Sequence, residues 1–476
     1  MTSLSPAVAG RFAPAPSGSP PPARTRLLLE APIVPTLLRL AAPNVVLIMV
    51  QAVVNAGEAY FLGWLGPEAL AGVSLVFPLI MLMQTMSAGG MGGGVSSAIA
   101  RALGAGRRDD ADTLAVHALA IAGVFGMAFT ISMTLGGRAL YRAMGGTGGA
   151  LEAALAYSNV VFGGSLAFWV FNTLASILRG SGNMLLPAAV TVGGAVLTLA
   201  LSPAMIFGRG PFPELGIAGA GAAVIIYYGL GSLVLVGYFL SDRGLVRLRP
   251  HRVRFRWAHF REILRVGAPG ALNNIQVNLT VVTLTGLVGP FGTLALAGYG
   301  MGTRLEYLQI PLVFGFGSAL VTMVGTNVGA GQRARAERAA WVGAGMAAAV
   351  TGSIGLGAAV FPRVWLGLLS AEPEVLAAGI TYLRIVGPTY GFFGLGLALY
   401  FASQGAGRLM WPLLAGFSRL VVASAGGWIA IRWLGGGLAA VFGVIAFAFV
   451  VYGVTLALAV TSGAWRSSAP PSYGAR

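Results

Sequence analysis

From residue 34 onward the chain alternates long apolar stretches with short polar interruptions. The apolar segments lie near 34–62, 68–101, 112–134, 150–178, 185–207, 216–241, 260–288, 293–328, 336–360, 373–402, 409–431 and 438–461. Their lengths match or exceed the roughly 18 apolar residues that mark a membrane span. The pattern predicts an all-α integral membrane protein with twelve transmembrane helices. Several segments exceed about 20 residues, which implies tilt or extension beyond the bilayer. Residues 1–33 are rich in Pro, Ser and Ala (APAPSGSPPPARTR) and lack the uninterrupted apolar core of a signal peptide. They read as a disordered cytoplasmic tail.

Composition sharpens the picture. Only 9% of residues are charged and 56% are apolar, against roughly 25% charged in a soluble domain, and the mean hydropathy is +0.81. The chain has no cysteine, which excludes a disulfide framework and a thiolate metal site. All 30 basic residues are Arg, so a Walker A lysine and a Schiff-base lysine are absent and this chain alone is not an ATP-driven pump. The net charge of +16 resides in loops between spans, which points to topology rather than a nucleic-acid partner. With the N-terminus inside, 22 arginines fall on the inner side, five outside (Arg138, Arg142, Arg209, Arg363, Arg432) and three within helices (Arg304, Arg384, Arg419). That asymmetry places both termini in the cytoplasm; the membrane expected is a prokaryotic inner membrane.

The chain also repeats itself. At an offset of 226, Ala69-Leu70-Ala71-Gly72 falls on Ala295-Leu296-Ala297-Gly298 and Pro43 on Pro269; at 225, GAGRRDDADTLA (104–115) falls on GAGQRARAERAA (329–340). A one-residue slip therefore lies within span two or eight. Six spans per copy is an even number, so the copies enter the membrane in the same direction, as parallel repeats about an axis along the membrane normal. The expected organisation is a tail (1–33), an N-terminal six-helix lobe (34–241), a basic cytoplasmic linker (242–259), a C-terminal six-helix lobe (260–462) and a cytoplasmic tail (463–476).

Four stretches resemble the multidrug and toxic compound extrusion (MATE) family: NAGEAYFLGWLGPEALAGV (55–73), ILRGSGNMLLP (177–187), LTLALSPAMIFGRGPFPELGIAGAGAA (197–223) and TRLEYLQIPLVFGFGSALVTMVGTNVGAG (303–331). The resemblance covers essentially all of 34–462. It implies two lobes working by alternating access, and export of cationic or amphipathic compounds in exchange for protons or sodium ions.

Of 14 acidic residues, only Glu58 and Glu306 fall clearly inside predicted spans. An intramembrane carboxylate costs a few kcal/mol unless paired, hydrated or neutral, so each is a functional candidate. Glu58 shares a helical face with Asn55 and Gln51, and its repeat counterpart is Leu284. A Glu near the outer end of span one can instead snorkel to the headgroups. The resembling family carries an Asp at this place, about 15 residues after a Pro that bends the first helix; here Pro43 stands 15 residues before Glu58. Where the family has an Asn and an Asp or Asn in span five, this chain has Thr198 and Ser202, so a second ionisable group is missing while hydroxyl ligands remain. With one carboxylate, coupling through protonation of Glu58 is simpler than a sodium site, which needs several more oxygens.

Glu306 either faces a cationic substrate or forms a buried ion pair with an arginine such as Arg304 or Arg419. Gln51, Asn172, Asn274, Asn278 and Tyr390 are further substrate-cleft candidates. Asn273, Asn274, Gln276, Asn278 and Asn327 suit interhelical hydrogen bonding. The run SAGGMGGG (87–94) lacks the residues of a phosphate loop and suits close approach or bending of helices. His117, His251 and His259 form no metal spacing. No cofactor and no catalytic set are expected, so the chain reads as a monomeric secondary antiporter rather than an enzyme. A flippase of lipid-linked or other amphipathic substrates on the same bundle is the alternative.

Overall fold

The computed structural model describes residues 22–241, 244–249, 253–463 and 465, without the side chains of residues 48, 49, 52 and 55. Helices α1 (Ala23–Glu30), α2 (Ile33–Gly63) and α3 (Pro67–Gln84) are followed by a π-helical turn (Thr85–Met91), α4 (Gly92–Gly104), α5 (Arg108–Ala143), α6 (Gly148–Gly163), α7 (Ser165–Gly180), α8 (Leu185–Ile206) and α9 (Ile217–Leu240). The second half comprises α10 (Trp257–Val288), α11 (Thr293–Gly329), α12 (Arg333–Val360), α13 (Pro362–Leu366), α14 (Pro373–Val386), α15 (Tyr390–Ala406), α16 (Met410–Arg432) and α17 (Leu438–Thr461). Ten continuous helical runs are long and apolar enough to cross a membrane, and α6 with α7, bent by 48°, forms an eleventh. The 31-residue α2 precedes them, so the described residues pass through the bundle twelve times.

Two expectations about the termini change. Residues 1–21 lie outside the described residues, but Ala23–Glu30, expected within a disordered tail, form α1. Its buried Leu28 joins the core of the second lobe, and its carbonyl accepts a hydrogen bond from Asn327 at 3.1 Å. The linker ends at Arg256 rather than 259, because α10 already begins at Trp257. Its described part is pinned to α5: Asp112 accepts the Arg247 N–H at 2.8 Å, and Nε2 of the buried His117 accepts that of Arg256 at 3.0 Å. His251 lies outside the described residues.

The internal repeat appears in the packing. Gly72 leaves no room for a Cβ against Ala153 and Ala154, and Gly298 does the same against Ala378 and Gly379; likewise Gly180 meets the Ser96 carbonyl and Gly405 that of Val321. Between these contacts the first lobe carries one residue more than the second. The extra residue coincides with the π-helical turn Thr85–Met91, the structure a helix adopts when it absorbs one additional residue without disturbing the faces on either side. The corresponding α11 is an uninterrupted α-helix, which locates the slip in span two.

The lobes meet on the half of the bundle that carries the arginine-rich loops, here called the basic face. Gly90 and Gly94 of the SAGGMGGG run approach the backbone of α10, where added Cβ atoms would lie 2.7 Å from the nitrogens of Ala271 and Gly267. Asn44 donates to Ser318 Oγ at 2.7 Å, Thr322 to the Arg179 carbonyl at 2.8 Å, and Arg101 pairs with Glu262 at 3.7 Å. Two carbonyls of the π turn accept amide hydrogen bonds from the second lobe: Thr85 from Asn274 at 2.8 Å and Gly89 from Gln404 at 3.1 Å. These interlobe contacts lie between the middle of the bundle and this face. The conformation is therefore sealed at the basic end.

Candidate functional site

Helix α2 belongs to both lobes. Near its start, Leu37 and Leu40 pack into the core of the second lobe. Beyond Pro43, which α2 carries without a break in the helix, its far half crosses α8: a Cβ on Gly57 would fall 2.6 Å from Leu199 Cδ2. That contact sets Glu58 at the level of Thr198 and Ser202, one residue before and three after Leu199. Thr198 and Ser202 are both buried. Thr198 Oγ1 donates to the Gly194 carbonyl at 2.9 Å, whereas Ser202 Oγ has no hydrogen-bond partner among the described residues. Glu58 Oε1 is equally enclosed and equally without a partner. Glu58 as a whole is half-buried, with Oε1 its enclosed oxygen. Besides α8, this half of α2 lies beside α9. Gln51 is half-buried on the same helix, and the Asn55 side chain lies outside the described residues.

The second intramembrane carboxylate has a different fate. Glu306 Oε1 lies 3.6 Å from Arg419 Nη2, both nearly buried, and Oε2 accepts from the Tyr382 hydroxyl at 3.2 Å. The Arg419 guanidinium also stacks 4.7 Å from the Phe449 ring centroid. Such a pair satisfies itself: Glu306 is held by protein charge, and Arg304 is exposed on the other side of the helix. Of the two readings that the sequence left open, the structure selects the ion pair with Arg419.

The structure places the other cleft candidates as follows. Tyr390, expected to line the cleft, is fully buried because α15 packs it against Phe449 of α17. Asn172 is half-buried and bonds to the Phe168 carbonyl of its own helix; Asn278 is exposed and bonds to that of Asn274. Asn274 crosses to the first lobe, as described above, and Gln276 bonds to the Gly416 carbonyl at 2.7 Å. Among the described residues no group of three His, Cys, Asp or Glu can hold a metal ion.

The MatE family model matches the chain twice, over residues 43–204 and 269–429. The chain belongs to the MATE family of membrane transporters. The two matches start 226 residues apart and end 225 apart, the same pair of offsets as the repeat. This MATE transporter is 28% identical over 399 residues to the FAD transporter of Shewanella oneidensis, covering 83% of this chain and 87% of that one. It is 28% identical over 386 residues to the probable multidrug resistance protein NorM of Thermotoga maritima, covering 80% and 82%. Among solved structures, it is similar to a MOP superfamily transporter from Pyrococcus furiosus described as having a binding pocket of reverse polarity (TM-score 0.86, 25% identity, covering 94% of this chain and 100% of that one). It is also similar to an outward-facing multidrug resistance MATE transporter (TM-score 0.85, 25% identity, the same coverage).

Proposed function

We propose that this transporter is a proton-driven antiporter that exports amphipathic small molecules, cations among them, by alternating access of its two lobes. Glu58 is the coupling group. The observation that carries this reading is the enclosed Glu58 Oε1, with no hydrogen-bond partner, at the level of the partnerless Ser202 hydroxyl. A buried charged carboxylate without a partner is expensive, whereas its protonated form is not. Gradient-driven protonation and release then alternately favour two packings of α2 against α8. Sodium is the less favoured coupling ion: beside one carboxylate the set offers Ser202 and Thr198, whose hydroxyl proton is already committed to Gly194, and a hard cation needs about six oxygens.

With Glu306 neutralised by Arg419, the middle of the described spans offers no second free carboxylate, so selectivity for cations is weak and apolar area dominates substrate choice. The arginine-rich face is cytoplasmic, which makes the conformation outward-facing. Counterflow of a fluorescent cation in proteoliposomes, driven in turn by proton and by sodium gradients, tests the reading. Uptake that follows the proton gradient alone is expected. Uptake that follows sodium alone would reassign the coupling ion, and no response to either would remove the antiport mechanism.

A further inference from the structure

On the basic face, directly outside the seam, lies a cavity of about 1210 Å³ that both lobes build. Six arginines line it: Arg101 and Arg107 from the first lobe, Arg261, Arg265, Arg333 and Arg408 from the second. Among the described residues only two carboxylates, Glu262 and Glu337, share the lining, so the described walls carry four positive charges in excess. One further acid, Asp110, reaches Arg107 from outside at 2.7 Å. Positive-inside bias alone scatters arginines over a membrane surface; here they converge from two lobes on one cavity.

The arrangement carries an internal cost. Arg101 is spoken for by Glu262 and by the Gly405 carbonyl at 3.3 Å. Burial together with the like charges of Arg265 and Arg333 pulls the Arg408 guanidinium below its ordinary range. Closing the lobes draws these like charges together, and the two glutamates offset only part of the repulsion. A polyanion removes the remainder, because guanidinium groups bind phosphate oxygens bidentately and in clusters. Trp257, strongly exposed, stands at the rim together with Trp465, residues suited to the level of lipid headgroups or to stacking.

We propose that this cavity is a binding site for a phosphate-bearing anion, which bridges arginines of the two lobes and holds the basic face shut. The site is separate from Glu58 and does not depend on the coupling ion. A phosphodiester headgroup and a soluble diphosphate offer the same chemistry. The volume leaves room for a phosphate together with the rest of its headgroup, or for a second phosphate group.

The test is thermal unfolding of the full-length protein under two additions at matched ionic strength. The first is pyrophosphate against chloride, in detergent. The second is nanodiscs of phosphatidylcholine with and without phosphatidylglycerol. A ligand that binds only the closed, folded state raises the midpoint. We expect a rise of several degrees in the wild type and in Arg363→Gln, a control far from the cavity, and at least half of it lost in Arg265→Gln/Arg333→Gln. A rise with pyrophosphate identifies a soluble phosphate compound as the source; a rise only with phosphatidylglycerol identifies the lipid. If the double variant does not purify, Arg261→Gln and Arg333→Gln singly replace it, each expected to lose a clear part of the rise. Equal shifts in wild type and cavity variants, or no shift with either addition, overturn the proposal.

Discussion

Gly104 and Gly329 occupy equivalent positions of the two repeats and make the same contact across the interlobe seam. A Cβ on Gly104 would fall 2.0 Å from the Thr326 carbonyl oxygen, and one on Gly329 would fall 2.1 Å from that of Arg101. Thr326 and Arg101 are themselves repeat equivalents, so the closed basic face is a pseudo-two-fold joint between bare backbones. A backbone atom cannot swing aside as a side-chain tip can, and any β-carbon here forces the joint open.

Gly104→Val and Gly329→Val are therefore expected to shift the transporter toward the state open at the basic face while leaving each lobe folded. The cysteine-free sequence lets spin labels be placed without background, on Asp109 with Arg338 at the basic face and on Arg209 with Leu434 at the opposite face. The basic-face distance should lengthen and the other shorten. Unchanged distance distributions in both variants would remove the glycine joint as the closure.

How much of this was legible in the sequence varies by level. Twelve passes follow from hydropathy, because lipid demands long apolar helices whatever their partners. The repeat was legible from Ala69–Gly72 and the 104–115 loop, and so was the existence of a one-residue slip. Its resolution as a π turn was not, since Thr85–Met91 carries no residue type peculiar to π-helices. Glu58 stood out because a carboxylate is rare at that depth. Glu306 stood out for the same reason, but its partner Arg419 lies 113 residues away, and only packing shows which of several arginines arrives. Tyr390 misled because an aromatic on an apolar helix has no pattern that separates cleft from core. The seam glycines were hidden among the chain's 72.

The π turn offers a test of the repeat. Deleting Ala88 should let span two become a regular helix of the length its counterpart already has. The protein is expected to fold, with the amide bonds from Asn274 and Gln404 lost or weakened, a cost of about 1 kcal/mol each. Thermal unfolding would show a modest drop in midpoint; complete loss of folded protein would contradict an extra residue absorbed in register.

Breaking the Glu306–Arg419 pair should cost stability rather than substrate selectivity. Glu306→Gln leaves a buried guanidinium short of a counter-charge, a loss of about 3–5 kcal/mol, whereas Tyr382→Phe removes one hydrogen bond, about 1–2 kcal/mol. The double variant Glu306→Leu/Arg419→Met should recover much of the loss. A stable Glu306→Gln protein that discriminates against cations would instead make Glu306 a substrate ligand.

Thr198→Ala/Ser202→Ala removes two buried hydroxyls of α8 at the level of Glu58. The expected result is normal membrane abundance with a displaced pH profile of efflux. A pH profile identical to wild type would separate α8 from the coupling site.

The central claim rests on one carboxyl group, and gradient-driven efflux by purified Glu58→Gln in proteoliposomes tests it most directly. A permanently neutral amide should fold, bind substrate and yet fail to respond to an imposed proton gradient, while Glu58→Asp, with a shorter reach, should retain part of the response. Efflux by Glu58→Gln that follows the proton gradient at the wild-type rate would contradict the mechanism.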